Sequence, residues 1–186
     1  NIDIKVLDIE GQIQFAKKHK VDLTIIGPEA PLVAGVVDEF RLAGLRCFGP
    51  SAAAARLEGS KRFTKDFLSK YKIPTADYGS FSSPNKAIEF ARSMELPVVI
   101  KADGLAAGKG VVIATTYQEA EEAIRGMMVN GNFGGAGASV VIEEFLQGEE
   151  MSFFIISDGI VFKNFGTAQD HKRALDGDKG KNTGGT

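Results

Sequence analysis

Pro97-Val98-Val99-Ile100-Lys101-Ala102-Asp103-Gly104-Leu105-Ala106-Ala107-Gly108-Lys109-Gly110-Val111-Val112-Ile113-Ala114 is the stretch on which the fold turns. Two β-branched apolar runs, 97–102 and 110–114, enclose a glycine-rich loop, so the order strand–loop–strand predicts a hairpin with a long tip. Glycine lets several backbone N–H groups turn toward one anion, and such a tip suits a phosphate. It is not a Walker loop: three residues rather than four separate Gly104 from Gly108, and Gly110 follows Lys109 where Ser or Thr is required. Nor is it a dinucleotide fingerprint, which needs G-x-G-x-x-G in a strand-to-helix turn. Lys101 ends an otherwise apolar strand, where its ammonium must meet an anion or reach water. Lys101 and Lys109 thus flank one loop as two point charges placed to hold a polyphosphate.

Around this hairpin the pattern continues as α+β. Ser83-Pro84 opens a helix with proline at its first position and Ala87, Ile88 and Ala91 turned inward. Thr116-Tyr117-Gln118-Glu119 is a capping box at the start of a helix reaching about Val129. Residues 130–138 form a second glycine-rich loop, and Val140-Val141-Ile142 leads into Glu143-Glu144-Phe145-Leu146. Carboxylates at such a strand end can accept hydrogen bonds from ribose hydroxyls or an adenine amine. Met151–Ile156 and Ile160–Phe165 flank Asp158-Gly159, a hairpin turn.

The first part reads differently. Val21–Ile26 predicts a strand closed by Gly27-Pro28, residues 31–43 a helix with Leu32, Val36 and Phe40 on one face, and Gly44 its cap. Arg46-Cys47-Phe48 predicts a second strand. Strand–helix–strand order implies parallel pairing, with ligands at the strand's carboxyl end, in the loop Gly27-Pro28-Glu29-Ala30-Pro31. Residues 51–72 predict two helices broken at Gly59, the second capped by Ser60 with Phe63, Phe67, Leu68 and Tyr71 as its apolar face. The division is an N-terminal α/β part, 1–59, and a second domain, 60–186.

Composition narrows the function classes. Of 186 residues 22 are glycine, fifteen of them beyond position 100, while 44% are hydrophobic and 25% charged, which excludes a disordered chain. A net charge of −2 argues against nucleic acid as a partner, and no apolar run has the ~18 residues of a membrane span. One cysteine, Cys47, and two histidines cannot build a zinc site, and this usage fits a reducing, cytoplasmic setting. No signal peptide opens the chain, and both ends read as those of a segment of something larger.

Six strings together carry a resemblance: Gly27-Pro-Glu-Ala-Pro-Leu32, Gly59-Ser-Lys-Arg-Phe-Thr-Lys65, Lys101-Ala-Asp-Gly-Leu-Ala-Ala-Gly-Lys-Gly110, Glu143-Glu-Phe-Leu146, Gln169-Asp-His-Lys-Arg173 and Asn182-Thr-Gly-Gly185. In this order, over nearly the whole chain, they resemble the phosphoribosylamine–glycine ligases (glycinamide ribonucleotide synthetases) of the ATP-grasp superfamily. The resemblance implies a parallel βαβ pre-ATP-grasp part followed by an α+β ATP-grasp domain whose mobile lid spans about 79–145. It would place Lys61, Lys101 and the loop from Asp103 and Gly104 to Gly108, Lys109 and Gly110 around the phosphates of ATP. Glu143 would belong to the nucleotide site, with the backbone of Glu144, Phe145 and Leu146 against adenine and Glu150 on the ribose. Gly27 to Pro31 would help hold 5-phosphoribosylamine, and Asp170, His171 and Lys172 would face the acceptor and the acyl phosphate.

The implied reaction joins glycine to 5-phosphoribosylamine through glycyl phosphate in purine biosynthesis. Its Mg2+ (or Mn2+) ligands, a Glu and an Asn, are expected beyond Thr186, so these residues taken alone are expected not to turn over. The alternatives are another ATP-grasp carboxylate–amine ligase or a carboxylase subunit, or a nucleotide-binding module without catalysis.

Overall fold

The computed structural model describes residues 1–106, 110–169, 173–175 and 179–182. The chain forms two compact units, Asn1–Phe145 and Leu146–Thr186.

The first unit begins with α1 (Ile9–Lys18), which sequence reasoning had not anticipated. Its signals are there: Asp8 caps it by accepting from Gly11 N at 2.9 Å, and Ile13 and Ala16, one turn apart, are buried. β1 (Thr24–Ile25) and β2 (Cys47–Phe48) pair in parallel, as the strand–helix–strand order requires. The strand expected over 21–26 shortens to two residues, because its partner offers only two before Gly49-Pro50 ends it. Between them the single helix predicted over 31–43 is two, α2 (Glu29–Val33) and α3 (Val36–Leu42). Gly35 stands between them at φ +90°, a left-handed conformation that ends the first helix and caps the second. Val36, Val37 and Phe40 still reach the core with Ile13 and Ala16.

α4 (Ala52–Gly59) and α5 (Lys61–Lys70) break where predicted, and the Ser60 hydroxyl accepts from Phe63 N at 3.1 Å. The apolar face expected on α5 is corrected. Phe63, Phe67 and Leu68 are half-buried and Tyr71 is exposed, whereas the buried residue of this helix is Lys65.

The centre of the unit is an antiparallel sheet, β3 (Tyr78–Phe81), β6 (Val140–Glu144), β4 (Val98–Ala102) and β5 (Val111–Ala114), in that spatial order. β4 and β5 form the predicted hairpin, and Ile100 lies opposite Ile142 on β6. Helices α6 (Pro84–Ser93) and α7 (Tyr117–Met128) cover one face. Because strand side chains alternate, Val98, Ile100, Ala102, Val140 and Ile142 pack with Ala87, Ile88, Ala91 and Ile124 in that core. The intervening residues Val99, Lys101, Val141 and Glu143 belong to the opposite face. The capping box of α7 closes one residue early: Thr116 accepts from Glu119 N at 3.2 Å, and the Glu119 carboxylate returns to Thr115 N at 2.8 Å.

In the second unit β7 (Met151–Ser157) and β8 (Phe162–Gln169) are antiparallel around the predicted turn, where Asp158 accepts from Ile160 N and Val161 N. β9 (Arg173–Leu175) and β10 (Lys179–Asn182) form a further antiparallel pair. Among the described residues no helix is long and apolar enough to cross a membrane.

Ile142 is fully buried at the centre of the sheet. Ile142→Ala is expected to lower unfolding free energy by about 2–5 kcal/mol in urea denaturation, the usual range for a large-to-small core change.

Candidate functional site

The sheet face opposite α6 and α7 carries charge. Lys101 Nζ donates to Glu143 Oε2 at 2.9 Å across neighbouring strands. Helix α5 brings Lys65 Nζ to the same oxygen at 3.2 Å. The Lys65 and Glu143 side chains are each 8% exposed, and that of Lys101 is 28% exposed. Lys65 also donates to Thr75 Oγ1 at 2.7 Å and to Ala76 O at 3.0 Å, so two hydrogen bonds and the Glu143 ion pair hold its ammonium. Two ammonium groups on one buried carboxylate leave this face locally positive. Sequence reasoning had not singled out Lys65; the available signal was its spacing of four from Lys61, which puts both on one helix flank.

Asp103 ties the end of β4 to two other segments. Its Oδ1 accepts from Ser60 Oγ at 3.0 Å and from Arg62 N at 2.8 Å, and its Oδ2 accepts from Ser139 Oγ at 3.1 Å. A carboxylate at the start of α5 also suits the positive end of the helix dipole. Lys61 N donates to Asp103 O at 3.1 Å, and Lys61 Nζ donates to Gly104 O at 3.0 Å. Burial pushes the Lys61 ammonium pKa down, Glu58 and Asp103 oppose that shift, and neighbouring Lys101 adds to it. At Gly104 a Cβ would sit 2.8 Å from Ala136 Cβ and 3.0 Å from Ala136 Cα, closer than packed atoms allow. The second glycine-rich loop therefore lies directly against the first.

The other predicted residues are placed as follows. Gly110 opens onto β5, where a Cβ would come within 2.6 Å of Ala106 Cβ. Glu144 is exposed and paired twice with Asp77, N to O at 3.0 Å and Oε1 from Asp77 N at 2.9 Å. Phe145 follows it, exposed, at the end of β6. Leu146 and Glu150 belong to the second unit and are exposed. Gly27, Pro28, Glu29 and Ala30 form an exposed turn after β1 and into α2, with Pro31 buried behind them. Among the described residues no hydrogen bond or ion pair joins that turn to the lysine cluster. Gly108, Lys109, Asp170, His171 and Lys172 lie outside the described residues. Among the described residues no group of three or more His, Cys, Asp or Glu side chains is placed to hold a metal ion. An open groove of about 330 Å³ lies on α6 and α7, away from the charged face, where Glu121 bridges Arg92 and Arg125.

The hairpin, its backing helices and the lysine-bearing face define an ATP-grasp protein. Biotin carboxylase from Campylobacter jejuni shares this fold at 18% identity and a TM-score of 0.73, over 87% of this chain and 37% of that one. More particularly, residues 1–58 match the phosphoribosylglycinamide synthetase N domain and residues 59–186 the phosphoribosylglycinamide synthetase ATP-grasp (A) domain, and the chain belongs to that family. Phosphoribosylamine–glycine ligase of Escherichia coli K12 is 57% identical over 185 residues, covering 100% of this chain and 43% of that protein. The crystal structure of the Thermotoga maritima phosphoribosylamine–glycine ligase is similar at a TM-score of 0.77 and 36% identity, over 91% of this chain and 42% of that one. The chain thus spans less than half the length of these relatives.

Asp103→Ala is expected to lower stability by about 1–3 kcal/mol in urea denaturation, since Ser60, Arg62 and Ser139 lose their common acceptor. Asp103→Asn, which keeps one oxygen acceptor, is expected to lose less.

Proposed function

We propose that this chain supplies the nucleotide-binding part of a phosphoribosylamine–glycine ligase, which joins glycine to 5-phosphoribosylamine with ATP. One observation carries the reading: Lys101 and Lys65 converge on Glu143 on the sheet face opposite α6 and α7, beside the glycine hairpin and Lys61. The domain division that goes with it is 1–59 and 60–186, with the lid at about 79–145.

In this reading Lys61, Lys101 and Lys109, with the backbone of Gly104, Gly108 and Gly110, hold the polyphosphate and neutralise its charge. Asp103 positions Lys61 through the start of α5. Glu143 joins the nucleotide site through its pairing with Lys101, the backbone of Glu144, Phe145 and Leu146 meets adenine and Glu150 the ribose, an assignment supported by family membership and the Glu143-Glu-Phe-Leu146 string. Gly27 to Pro31 serve the phosphoribosylamine, and Asp170, His171 and Lys172 the acceptor side.

The glycine carboxylate attacks the γ-phosphorus, the bond to the β-γ bridging oxygen breaks, and ADP leaves. The amine of phosphoribosylamine then attacks the glycyl carbonyl carbon, phosphate departs with the C–O electron pair, and the amine loses a proton. The result is glycinamide ribonucleotide, ADP and phosphate. The lysines stabilise negative charge that spreads over the transferring group, where positioning and electrostatics supply most of the catalysis. Magnesium belongs to the same proposal. The family resemblance implies a Glu and an Asn beyond Thr186 as its ligands, and bound there it would offset the phosphate charge. A cytoplasmic setting completes the reading.

The test uses the full-length protein with ATP, glycine and phosphoribosylamine. Phosphate release is expected only when both co-substrates are present, with glycinamide ribonucleotide formed in equal amount; release that ignores either co-substrate rejects this ligase. Lys101→Ala and Lys109→Ala are each expected to weaken ATP binding about tenfold or more by calorimetry. Unchanged affinity in both variants sinks the phosphate assignment. Since burial lowers the Lys61 pKa, ATP affinity is expected to fall as pH rises through a value below the ordinary 10.5. Lys61→Arg keeps its charge there, so its affinity profile over the same range is expected to be flatter.

A further inference from the structure

Lys65 and Lys101 meet the same Glu143 oxygen, but their commitments differ. The Lys65 ammonium donates to Thr75 Oγ1 and Ala76 O, lies against Glu143 Oε2 as an ion pair, and is buried. The hydrogen bond of Lys101 among the described residues is to Glu143, and its side chain is more than three times as exposed as that of Lys65. One cation is fixed and the other can exchange partners. Were Lys101 the sole counter-charge of Glu143, each move toward a phosphate would strand a buried carboxylate, which is strongly unfavourable. With Lys65 in place the carboxylate stays neutralised whichever way Lys101 leans.

We propose that Lys65 is a positioning residue: it holds Glu143 compensated so that Lys101 can pass from that carboxylate to an arriving polyphosphate. This rests on the nucleotide reading of the same face. Lys65 itself touches no phosphate. It acts through Glu143 on the freedom of Lys101, so its removal locks Lys101 onto Glu143 and weakens nucleotide binding at a distance.

The coupling has a sign that a packing role alone does not have. In Lys65→Met the Glu143 charge holds Lys101 back, and ATP affinity in the full-length protein is expected to fall about tenfold by calorimetry. Adding Glu143→Gln removes the charge that holds it, so the double variant is expected to bind ATP more tightly than Lys65→Met alone. Lys65→Arg is expected to restore most of the affinity. Unchanged binding in Lys65→Met, or a double variant that binds no better than the single one, overturns the proposal. Lys101→Ala, measured in parallel, separates the two readings. If it weakens binding while Lys65→Met does not, only the role of Lys65 fails; if it changes nothing, the nucleotide reading falls and takes this one with it. Should Lys65→Met fail to fold, Thr75→Val removes one Lys65 acceptor without altering charge. It is expected to weaken ATP binding about threefold, and an unchanged affinity there overturns the proposal.

Discussion

A carboxylate with two lysines on one oxygen, Glu143 Oε2 with Lys101 at 2.9 Å and Lys65 at 3.2 Å, sets the conditions for much of the first unit. A charge this deep persists only if it is paired and its partners' protons are used. That requirement keeps α5 on the face of the sheet opposite α6 and α7, because from there Lys65 reaches both Glu143 and the acceptors at Thr75 and Ala76. It also depends on the register of β4 against β6, which sets Val99 opposite Glu143 and Lys101 opposite Val141. A slip of one residue would carry these charges into the core formed by Ile100, Ile142 and Ile124, and would bring those apolar side chains out. The burial of apolar residues on one face and the ion group on the other therefore specify the same alignment.

Local chemistry was readable where it acts over short spans. Pro84 at a helix start, the Thr116 cap of α7, the break after Gly59 and the Asp158-Gly159 turn each work within a few residues, and each stands where the sequence places it. The parallel pairing of β1 and β2 followed from element order alone. Gly35 was harder, since an apolar stripe on both sides of it reads as one helix until a positive φ interrupts it.

The site was legible in part, for a related reason. Lys101 stood out because an ammonium ends an apolar strand. Lys65 did not, because on a helix dotted with charges it reads as solvated, and its burial depends on a carboxylate far along the chain. Asp103 was legible as a member of the glycine hairpin but not as a tie: its acceptors serve Ser60, Arg62 and Ser139, three donors from two distant segments. Long-range pairing of polar groups leaves almost no trace in periodicity.

The close approach of Gly104 to Ala136 carries one more consequence. Packed interiors leave almost no spare volume, so two positions in contact at this distance share a single allowance of it. A larger side chain at 136 would need space that only the absence of one at 104 now provides, and Gly104 already gives all it has. The two glycine-rich loops, separated in sequence by a strand and a helix, are therefore bound to one another in how they can change. Each limits the substitutions open to the other, and neither drifts alone.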